Sequence, residues 1–292
     1  MKLSQFQSED LKIIQDGEFD FLVKTSDIFQ GDCLTFIEKE SYIELLLNNK
    51  NITCVITTPE LQSKIPNTLG KAISNNPKFE FLRINRSFQS KRGKTIIGKN
   101  LIAGKNNVIS PYNVIIGNNV TIGDNVVINE GVKIGDNCII KSNAVLGSDG
   151  YERCKNNAGG AFLCGHVGLT VIGNGVVIME NAFIERALFA WDKTLVMDGC
   201  LVGHNSTISH GSKIGKNTLV MHSAFIAGNV VIGSNSKIGI GAIVSNRVVI
   251  GNNVEVKLGS VVTTNLSDGA VVSGNFAIDH SKNIQHVKKI AK

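Results

Sequence analysis

From residue 116 onward, an aliphatic side chain recurs at every sixth position, and the residues between are mostly polar or glycine. A period of six is neither the period of two of a strand nor the 3.6 of a helix. Each hexapeptide is therefore interpreted as one short strand and one corner, where Gly-Asn sequences supply the left-handed backbone that tight corners need. The positions in register are Ile116, Ile122, Ile128, Ile134, Ile140, Leu146, Ile172, Ile178, Ile184, Ala190 as a weak member, Val196, Val202, Ile208, Ile214, Val220, Ile226, Ile232, Ile238, Val244, Ile250, Val256 and Val262.

This repeat predicts the fold of most of the chain. Three hexapeptides make a triangular coil, and stacked coils form a parallel β-helix whose aliphatic column fills the prism. We assign residues 93–275 to this β-helix. The register breaks at 147–170, which we interpret as an excursion loop, and long loops of this kind are usually functional.

The first 92 residues have a different composition, with 8 of the 13 Phe but only 3 of the 30 Gly. Their pattern predicts a small α/β domain over residues 1–92. Strands are expected at 34–37, 54–57 and 79–82, and helices at 41–49 and 60–75. At the other end, residues 276–292 are rich in Lys and are predicted to form a short basic helix.

Charge and composition exclude several classes of protein. The 292 residues carry a formal net charge of +6, which falls short of a nucleic-acid-binding signature. No apolar run is long enough for a transmembrane helix or a signal peptide. The six cysteines are scattered without a CxxC pair, which favours a reduced, cytoplasmic protein with neither disulfides nor a zinc ribbon.

The repeat also predicts a site, because residues 18 apart should lie about 4.8 Å above one another on successive coils. His204, His210 and His222 each stand two residues after an aliphatic register position. His204 and His222 should stack on each other, whereas His210 should lie on the next face beneath Gly228, with Asn246 one coil further. A corner histidine can be merely polar, but an imidazole also takes a proton near neutral pH. A zinc site is a second interpretation, weakened because the three histidines fall on two faces.

Several segments together resemble the UDP-3-O-acylglucosamine N-acyltransferases, a family of hexapeptide-repeat acyltransferases. They are residues 34–42, Val145–Tyr151, Val171–Gly175, Ile184–Arg186 and Ile208–His210. The resemblance implies a left-handed β-helix that assembles as a homotrimer. Apolar Phe183, Phe189 and Phe225 also favour a trimer, since an apolar prism face needs covering.

The same resemblance assigns residues to roles. It implies His210 as general base and the Gly228 backbone N–H as the group that faces the thioester carbonyl. Acetyltransferases of bacillosamine type also place the base and this glycine 18 residues apart. For substrate binding, the family's uridine-binding segment implies Phe36, Lys39 and Tyr42 at the nucleotide base. From the stacking of the repeats we add His204, His222, Asn246 and Arg247 as binding residues, with His204 or His222 as the fallback base.

The chain departs from the family at three of these places. Arg247 replaces a second histidine, Gly203 replaces an acidic residue seven positions before the base, and Lys39 replaces an asparagine. We therefore expect an N-acyltransferase that moves an acyl group from a coenzyme A or acyl-carrier-protein thioester to a UDP- or dTDP-linked amino sugar, for a surface glycan or lipid A. The departures favour a rare amino-dideoxy sugar and a short acyl-coenzyme A. No resident cofactor, metal or nucleic-acid partner is expected.

Three alternatives remain open at this stage. The first is the lipid A enzyme proper, UDP-3-O-(3-hydroxyacyl)glucosamine N-acyltransferase. The second is a zinc lyase of the γ-carbonic anhydrase type, and the third is a non-catalytic β-helical assembly protein.

Overall fold

A computed structural model describes residues 1–27, 29–274 and 279–290, and it begins with a small α/β domain. Five strands form one sheet in the order β1-β5-β4-β3-β2, parallel except for β1 against β5. The strands are β1 (Lys12–Gln15), β2 (Phe21–Leu22), β3 (Cys33–Ile37), β4 (Ile52–Thr57) and β5 (Gly70–Ile73). The helices are α1 (Ile43–Asn48) and α2 (Pro77–Asn85), with 3₁₀ turns at Leu3–Phe6, Glu40–Tyr42, Pro59–Lys64 and Arg86–Phe88.

Two sequence predictions in this domain are wrong. Residues 79–82 are not a strand but lie inside α2, where the Asn76 side chain accepts from the Phe79 N–H and Pro77 fits the first helical turn. Residues 60–75 are not one helix, because Pro66 interrupts them and β5 follows. Within β5, the ammonium group of Lys71 is buried and donates to the Ile65 carbonyl at 2.9 Å.

Beyond Phe88 the chain winds into a parallel β-helix with three faces, so the predicted fold class is confirmed. Face A contains β6 (Ile96–Ile97), β9 (Ile115–Ile116), β12 (Val132–Ile134), β17 (Leu169–Ile172), β20 (Lys193–Val196), β23 (Lys213–Ile214), β26 (Val231–Ile232) and β29 (Val249–Ile250). Face B contains β7 (Ile102–Ala103), β10 (Thr121–Ile122), β13 (Ile139–Ile140), β18 (Val177–Ile178), β21 (Leu201–Val202), β24 (Leu219–Val220), β27 (Lys237–Ile238), β30 (Glu255–Val256) and β32 (Val271–Val272). Face C contains β8 (Val108–Ile109), β11 (Val127–Ile128), β14 (Val145–Ser148), β19 (Phe183–Glu185), β22 (Thr207–Ile208), β25 (Phe225–Ile226), β28 (Ile243–Val244) and β31 (Val261–Val262).

The aliphatic register fills the prism, as the repeat predicts. Almost every register residue from Ile116 to Val262 is buried in one continuous cluster. The corners turn through left-handed backbone, and among the described residues 13 of the 15 non-glycine residues at positive φ are Asn. The two others are Ser223 and Arg247, and only Arg247 puts a charged side chain at such a corner.

Two excursions leave the β-helix and pack on the amino-terminal domain. The first carries an antiparallel hairpin, β15 (Arg153–Lys155) and β16 (Ala161–Leu163). The second lies between β19 and β20, and there the register assignment of Ala190 is wrong. Ala190 is exposed, whereas the neighbouring Leu188 and Phe189 are buried among the core residues of the amino-terminal domain. The step from Ile184 to Val196 therefore spans one strand position rather than two.

The described carboxy-terminal segment is helix α3 (His280–Ile290). Of the predicted helix 276–292, residues 276–278 and 291–292 lie outside the described residues. Within the described ranges, no helix is both long and apolar enough to cross a membrane.

Candidate functional site

His210 lies at the corner after β22, and a carboxylate holds its imidazole. Its Nδ1 is 3.1 Å from Glu185 Oε2, and its backbone N–H donates to the same oxygen at 2.9 Å. Both side chains are largely buried, with 16% and 12% of their surfaces exposed. Glu185 thus fixes the orientation of the ring and leaves Nε2 as the free nitrogen, which is the arrangement that a general base needs.

Gly228 lies directly on the His210 ring, as the 18-residue spacing predicts. A Cβ at Gly228 would stand 2.6 Å from His210 Nε2, so only glycine leaves room for the imidazole in this position. The Gly228 N–H donates to Asn246 Oδ1 at 3.0 Å. A carbonyl that binds this N–H must therefore displace the Asn246 side chain.

We expect Gly228→Ala to lower turnover strongly without unfolding the protein. The added methyl group would displace the His210 imidazole, while the backbone of Gly228 is not in the left-handed region. Steady-state kinetics and a melting curve measure the two effects. Gly274→Ala is the matched control, because a Cβ there meets nothing within 4 Å. Equal turnover in the two variants would contradict this description of the site.

A second histidine, which the sequence analysis did not single out, covers His210 from the first excursion. The His166 ring lies 5.2 Å from the His210 ring at 84°, and its Nδ1 is 2.9 Å from the Arg186 carbonyl oxygen. His166 is buried, and its Nε2 has no hydrogen-bond partner among the described residues. Gly150 closes the same space, since a Cβ there would clash with Glu185, His166 and His210 together.

Burial lowers the pKa of His166 below its ordinary value of 6.5, against the opposing effect of its hydrogen bond to the Arg186 carbonyl, and neighbouring His210 lowers it further. The unfolded chain then binds a proton more readily than the folded protein, so stability falls as the pH falls through about 6.5. We expect the melting temperature of the wild type to drop more between about pH 7.5 and 5.5 than that of His166→Gln. His286→Gln, at an exposed histidine of α3, should behave as wild type. Parallel wild-type and His166→Gln curves would contradict this prediction.

His204 and His222 stack on each other as predicted, with ring centroids 4.6 Å apart. His204 Nδ1 lies 2.9 Å from Glu180 Oε2, and the backbone N–H of His204 donates to His222 Nδ1. Both residues follow strands of face B, whereas His210 follows a strand of face C. Within one chain the three histidines therefore do not converge. Across residues 1–27, 29–274 and 279–290, no three His, Cys, Asp or Glu side chains are placed to hold a metal ion.

Two adjoining cavities lie where the amino-terminal domain meets the β-helix. The domain-side cavity has a volume of about 530 Å³ and is lined by Lys24, Thr25, Ser26, Phe36, Glu38, Lys39, Tyr42, Lys78 and Arg247. The histidine cavity has about 340 Å³ and is lined by Lys24, Asp27, Leu188, Phe189, Trp191, Asp192, His210, Lys213, Asn229 and Arg247. Lys24 and Arg247 line both, so the two spaces share a cationic boundary.

The structure brings four predicted binding residues together in the domain-side cavity. Phe36, Lys39 and Tyr42 come from β3 and the turn after it, and Arg247 reaches them from the β-helix. Tyr42 is 46% exposed, whereas Phe36 packs on Phe81 at 5.0 Å and is half-buried. Tyr42 is thus free to contact a ligand, while Phe36 also belongs to the domain core.

Ion pairs hold the cationic boundary in place. Glu152 of the first excursion lies 3.1 Å from Lys24 Nζ and 2.7 Å from Lys78 Nζ, and these ammonium groups lower its pKa against the opposing effect of burial. Arg247 donates to Ser26 Oγ at 2.7 Å and lies 3.4 Å from Asp27. Its side chain is thus directed at the amino-terminal domain, and the left-handed backbone of Arg247 is the kind of strain found at functional sites.

A larger cavity of about 590 Å³ lies between the amino-terminal domain and the tip of the hairpin. It is lined by Asn and charged residues such as Glu9, Lys12 and Lys155, and none of the predicted site residues lines it. Neither histidine nor cysteine is among the described residues that line it.

Comparisons with known proteins agree with the repeat. The bacterial transferase hexapeptide family (six repeats) matches residues 113–148. The matched residues contain six of the described strands, β9 to β14, of this chain. A search of curated protein sequences finds no match to it.

Solved structures share the fold of this chain. The UDP-N-acetylglucosamine acyltransferase from Campylobacter jejuni is 19% identical to this chain. The match covers 67% of this chain and 79% of that protein, with a TM-score of 0.54. LpxA from Acinetobacter baumannii is 21% identical, covers 68% and 76%, and has a TM-score of 0.51. At these identities the comparison establishes the architecture.

Proposed function

We propose that this protein transfers an acyl group from a thioester to the amine of a nucleotide-activated sugar. The observation that carries the proposal is the pair of adjoining cavities with a shared cationic boundary. One contains aromatic and cationic side chains suited to a nucleotide, and the other contains the His210–Glu185 pair. Both volumes fall in the usual range of about 300–1,000 Å³ for ligand sites, and the fold is that of UDP-sugar acyltransferases.

A nucleotide sugar has the shape that these two spaces require. Its base stacks on Tyr42 beside Phe36 and Lys39, and its diphosphate lies at Lys24 and Arg247. The sugar then extends into the histidine cavity towards His210. A base binds by stacking on planar aromatic faces, and a diphosphate binds between two neighbouring cationic side chains.

The reaction follows from the free nitrogen of His210. The neutral amine of the sugar attacks the thioester carbonyl carbon, and His210 Nε2 takes a proton from the amine as the N–C bond forms. The C–S bond then breaks, and the thiolate leaves with that proton. In this proposal the Gly228 N–H, released from Asn246, stabilises the oxyanion. Glu185 stabilises the imidazolium that forms on His210.

The acyl donor is proposed to be a short acyl-coenzyme A rather than a long-chain acyl carrier protein. The described carboxy-terminal segment is one short helix with Lys282, Lys288 and Lys289, a cationic surface suited to phosphates. Arg247, which the sequence placed near the donor, instead faces the amino-terminal domain and is assigned to the nucleotide. His204, His222 and Asn246 keep their proposed substrate-binding roles, although the two histidines lie at another edge of the prism than His210.

A homotrimer is proposed from face C. The outward column of this face has no charged residue: Val108, Val127, Val145, Phe183, Thr207, Phe225, Ile243 and Val261. Phe189, part of the sequence argument, is instead 5% exposed inside the domain core and does not contribute. Closed symmetry covers such a face. Sedimentation at micromolar concentration should show a trimer, and a monomer would contradict this proposal.

The lipid A enzyme proper remains the second candidate, because the structures with this fold include UDP-N-acetylglucosamine acyltransferases. The separation of His210 from His204 and His222 gives no support to a zinc lyase within one chain. An assembly protein would have no use for a histidine fixed by a buried carboxylate beside a cavity.

Nucleotide-sugar binding tests the proposal without knowledge of the donor. A panel of UDP- and dTDP-linked amino sugars is added to the purified protein, and the melting temperature is recorded. A ligand at 100 times its Kd stabilises by about 2.7 kcal/mol, which is readily measured. We expect at least one nucleotide sugar to raise the melting temperature. If none of them raises it, the proposal is contradicted.

Tyr42→Ala tests how the base is held. Loss of one stacking face, about 1–3 kcal/mol, should raise KM for the nucleotide sugar while kcat is kept. Tyr112→Ala is the control, because this tyrosine is also exposed, at 42%, but lies on the first coils of the β-helix. Lost solubility with unchanged KM in the soluble fraction would show Tyr42 to be a structural residue instead.

A further inference from the structure

The histidine cavity contains a second acceptor group beside His210. Asp192 lies at the end of the second excursion, and its side chain is only 11% exposed. Its Oδ1 accepts from the Lys193 N–H at 2.8 Å and from Lys213 Nζ at 3.3 Å. Its Oδ2 accepts no hydrogen bond from any described residue.

The free oxygen lies near Gly211, the residue that follows the histidine. A Cβ on Gly211, the residue after His210, would stand 3.0 Å from Asp192 Oδ2, so glycine at this place keeps the oxygen accessible. Asp192 and His210 line the same cavity. With no donor among the described residues, Oδ2 faces the open cavity and is available to accept a hydrogen bond from a ligand that replaces water there.

We propose that Asp192 selects an amine over a hydroxyl as the acceptor of the acyl group, an inference that rests on the proposed function. An amine carries two N–H groups and an ammonium three, so one nitrogen can donate to Asp192 Oδ2 and still give a proton to His210. A hydroxyl carries a single hydrogen. If it donates to His210, its oxygen faces the Asp192 carboxylate with lone pairs only, and the two repel.

The negative charge of Asp192 also favours an amine over a hydroxyl. An amino sugar arrives as an ammonium at neutral pH, and the carboxylate attracts it. The ammonium loses one proton to solvent before the neutral amine attacks. Lys213 pairs with Oδ1 and holds the carboxylate without occupying Oδ2. Asp192 is thus a specificity-determining residue, and His210 remains the base.

The test compares matched acceptors on wild type and Asp192→Asn. Asparagine is isosteric and keeps an oxygen for the Lys193 N–H. The pairs are UDP-glucosamine with UDP-glucose, and a dTDP-4-amino-4,6-dideoxy sugar with its 4-hydroxyl counterpart, each with acetyl-coenzyme A. In wild type we expect a preference for the amine. In Asp192→Asn, kcat/KM for the amine should fall by roughly 10–100-fold, and that for the hydroxyl should change little.

Asp124→Asn is the matched control, since Asp124 also accepts a backbone N–H, at the corner of an outer coil. Should Asp192→Asn fold poorly, calorimetry on wild type still tests the proposal, because the amine must bind at least about tenfold more tightly than the hydroxyl. An unchanged preference in a folded Asp192→Asn, or equal affinities in wild type, would overturn it and leave acyl transfer intact. No transfer by wild type to either member of any pair would instead overturn the proposed function, and this inference with it.

Discussion

Replacing His210 with alanine is expected to lower acyl-transfer turnover by about 10²–10⁴-fold, the usual contribution of a general base. The affinity for the nucleotide sugar should stay nearly unchanged, because the nucleotide lies in the domain-side cavity, which His210 does not line. The free nitrogen of His210 acts on the amine, and its other nitrogen is held by Glu185. Turnover at saturating substrate measures the first effect, and calorimetry with the nucleotide sugar measures the second.

Three further variants separate the roles. Glu185→Gln should lower turnover less than His210→Ala, since it loses the charge that stabilises the imidazolium but keeps a hydrogen-bonding group. His204→Ala and His222→Ala should keep more activity than His210→Ala, because they lie at another edge of the prism. More than half of the wild-type activity in His210→Ala would show that the base lies elsewhere.

Lys24→Ala is expected to weaken nucleotide-sugar binding by roughly 10–100-fold. Its ammonium group stands at the boundary of both cavities, where the diphosphate is proposed to lie, and a hydrogen bond to a charged group contributes about 1.5–3 kcal/mol. The hairpin keeps its other contacts with the amino-terminal domain, among them the Lys78–Glu152 ion pair and the hydrogen bond from Asn76 Nδ2 to the Lys155 carbonyl. Calorimetry with the nucleotide sugar measures the change.

The control is Lys12→Ala, at a lysine that lines the larger cavity elsewhere in the domain. Its Kd should equal that of wild type. The affinity of wild type should also fall as the salt concentration rises, and that of Lys24→Ala should fall less steeply. A change in Kd of less than twofold in Lys24→Ala would show that the diphosphate does not bind at this boundary.

The β-helix could be predicted because each of its repeats is defined locally. A hexapeptide carries its own inward residue and its own corner, so the periodicity alone identifies Ile208 or Ile226 as core. The same periodicity, 18 residues per coil, also predicts that Gly228 lies on His210. It fails at Ala190, where the second excursion sends Leu188 into the core of the other domain. No periodic signal identifies a segment whose partner is distant in sequence.

The α/β domain was harder for a related reason. Its short segments mix apolar and polar residues, and the pattern over 79–82 fits a strand as well as a buried helix turn. The signal that decides it is the cap, since Asn76 followed by Pro77 is typical of a helix start. Likewise, Pro66 and Gly70 argued against a single helix over 60–75.

Part of the site was beyond a reading of the sequence. The second excursion lengthens its coil, since Ile184 pairs with Ile208, 24 residues later rather than 18. Glu185 and His210 stand one and two residues after these partners, so they are 25 apart. The place of Glu185 beside Arg186 in the family-like segment was the available signal. Lys24 and Asp192 reach the cavities, and His166 reaches His210, only through packing of the two excursions on the amino-terminal domain. Such long-range packing leaves no fixed spacing along the chain.

The most direct test of the central claim is acyl transfer itself, followed by release of free thiol and by mass spectrometry of the sugar. Purified protein is given acetyl-coenzyme A, hydroxybutyryl-coenzyme A or 3-hydroxymyristoyl carrier protein, each with the panel of nucleotide amino sugars. We expect thiol release that depends on one amino sugar, is efficient with a short acyl-coenzyme A, adds the mass of one acyl group, and is lost in His210→Ala. Efficient turnover with the carrier protein alone would instead favour the lipid A enzyme proper. If no donor gives thiol release that depends on an acceptor, the proposed acyl transfer is contradicted.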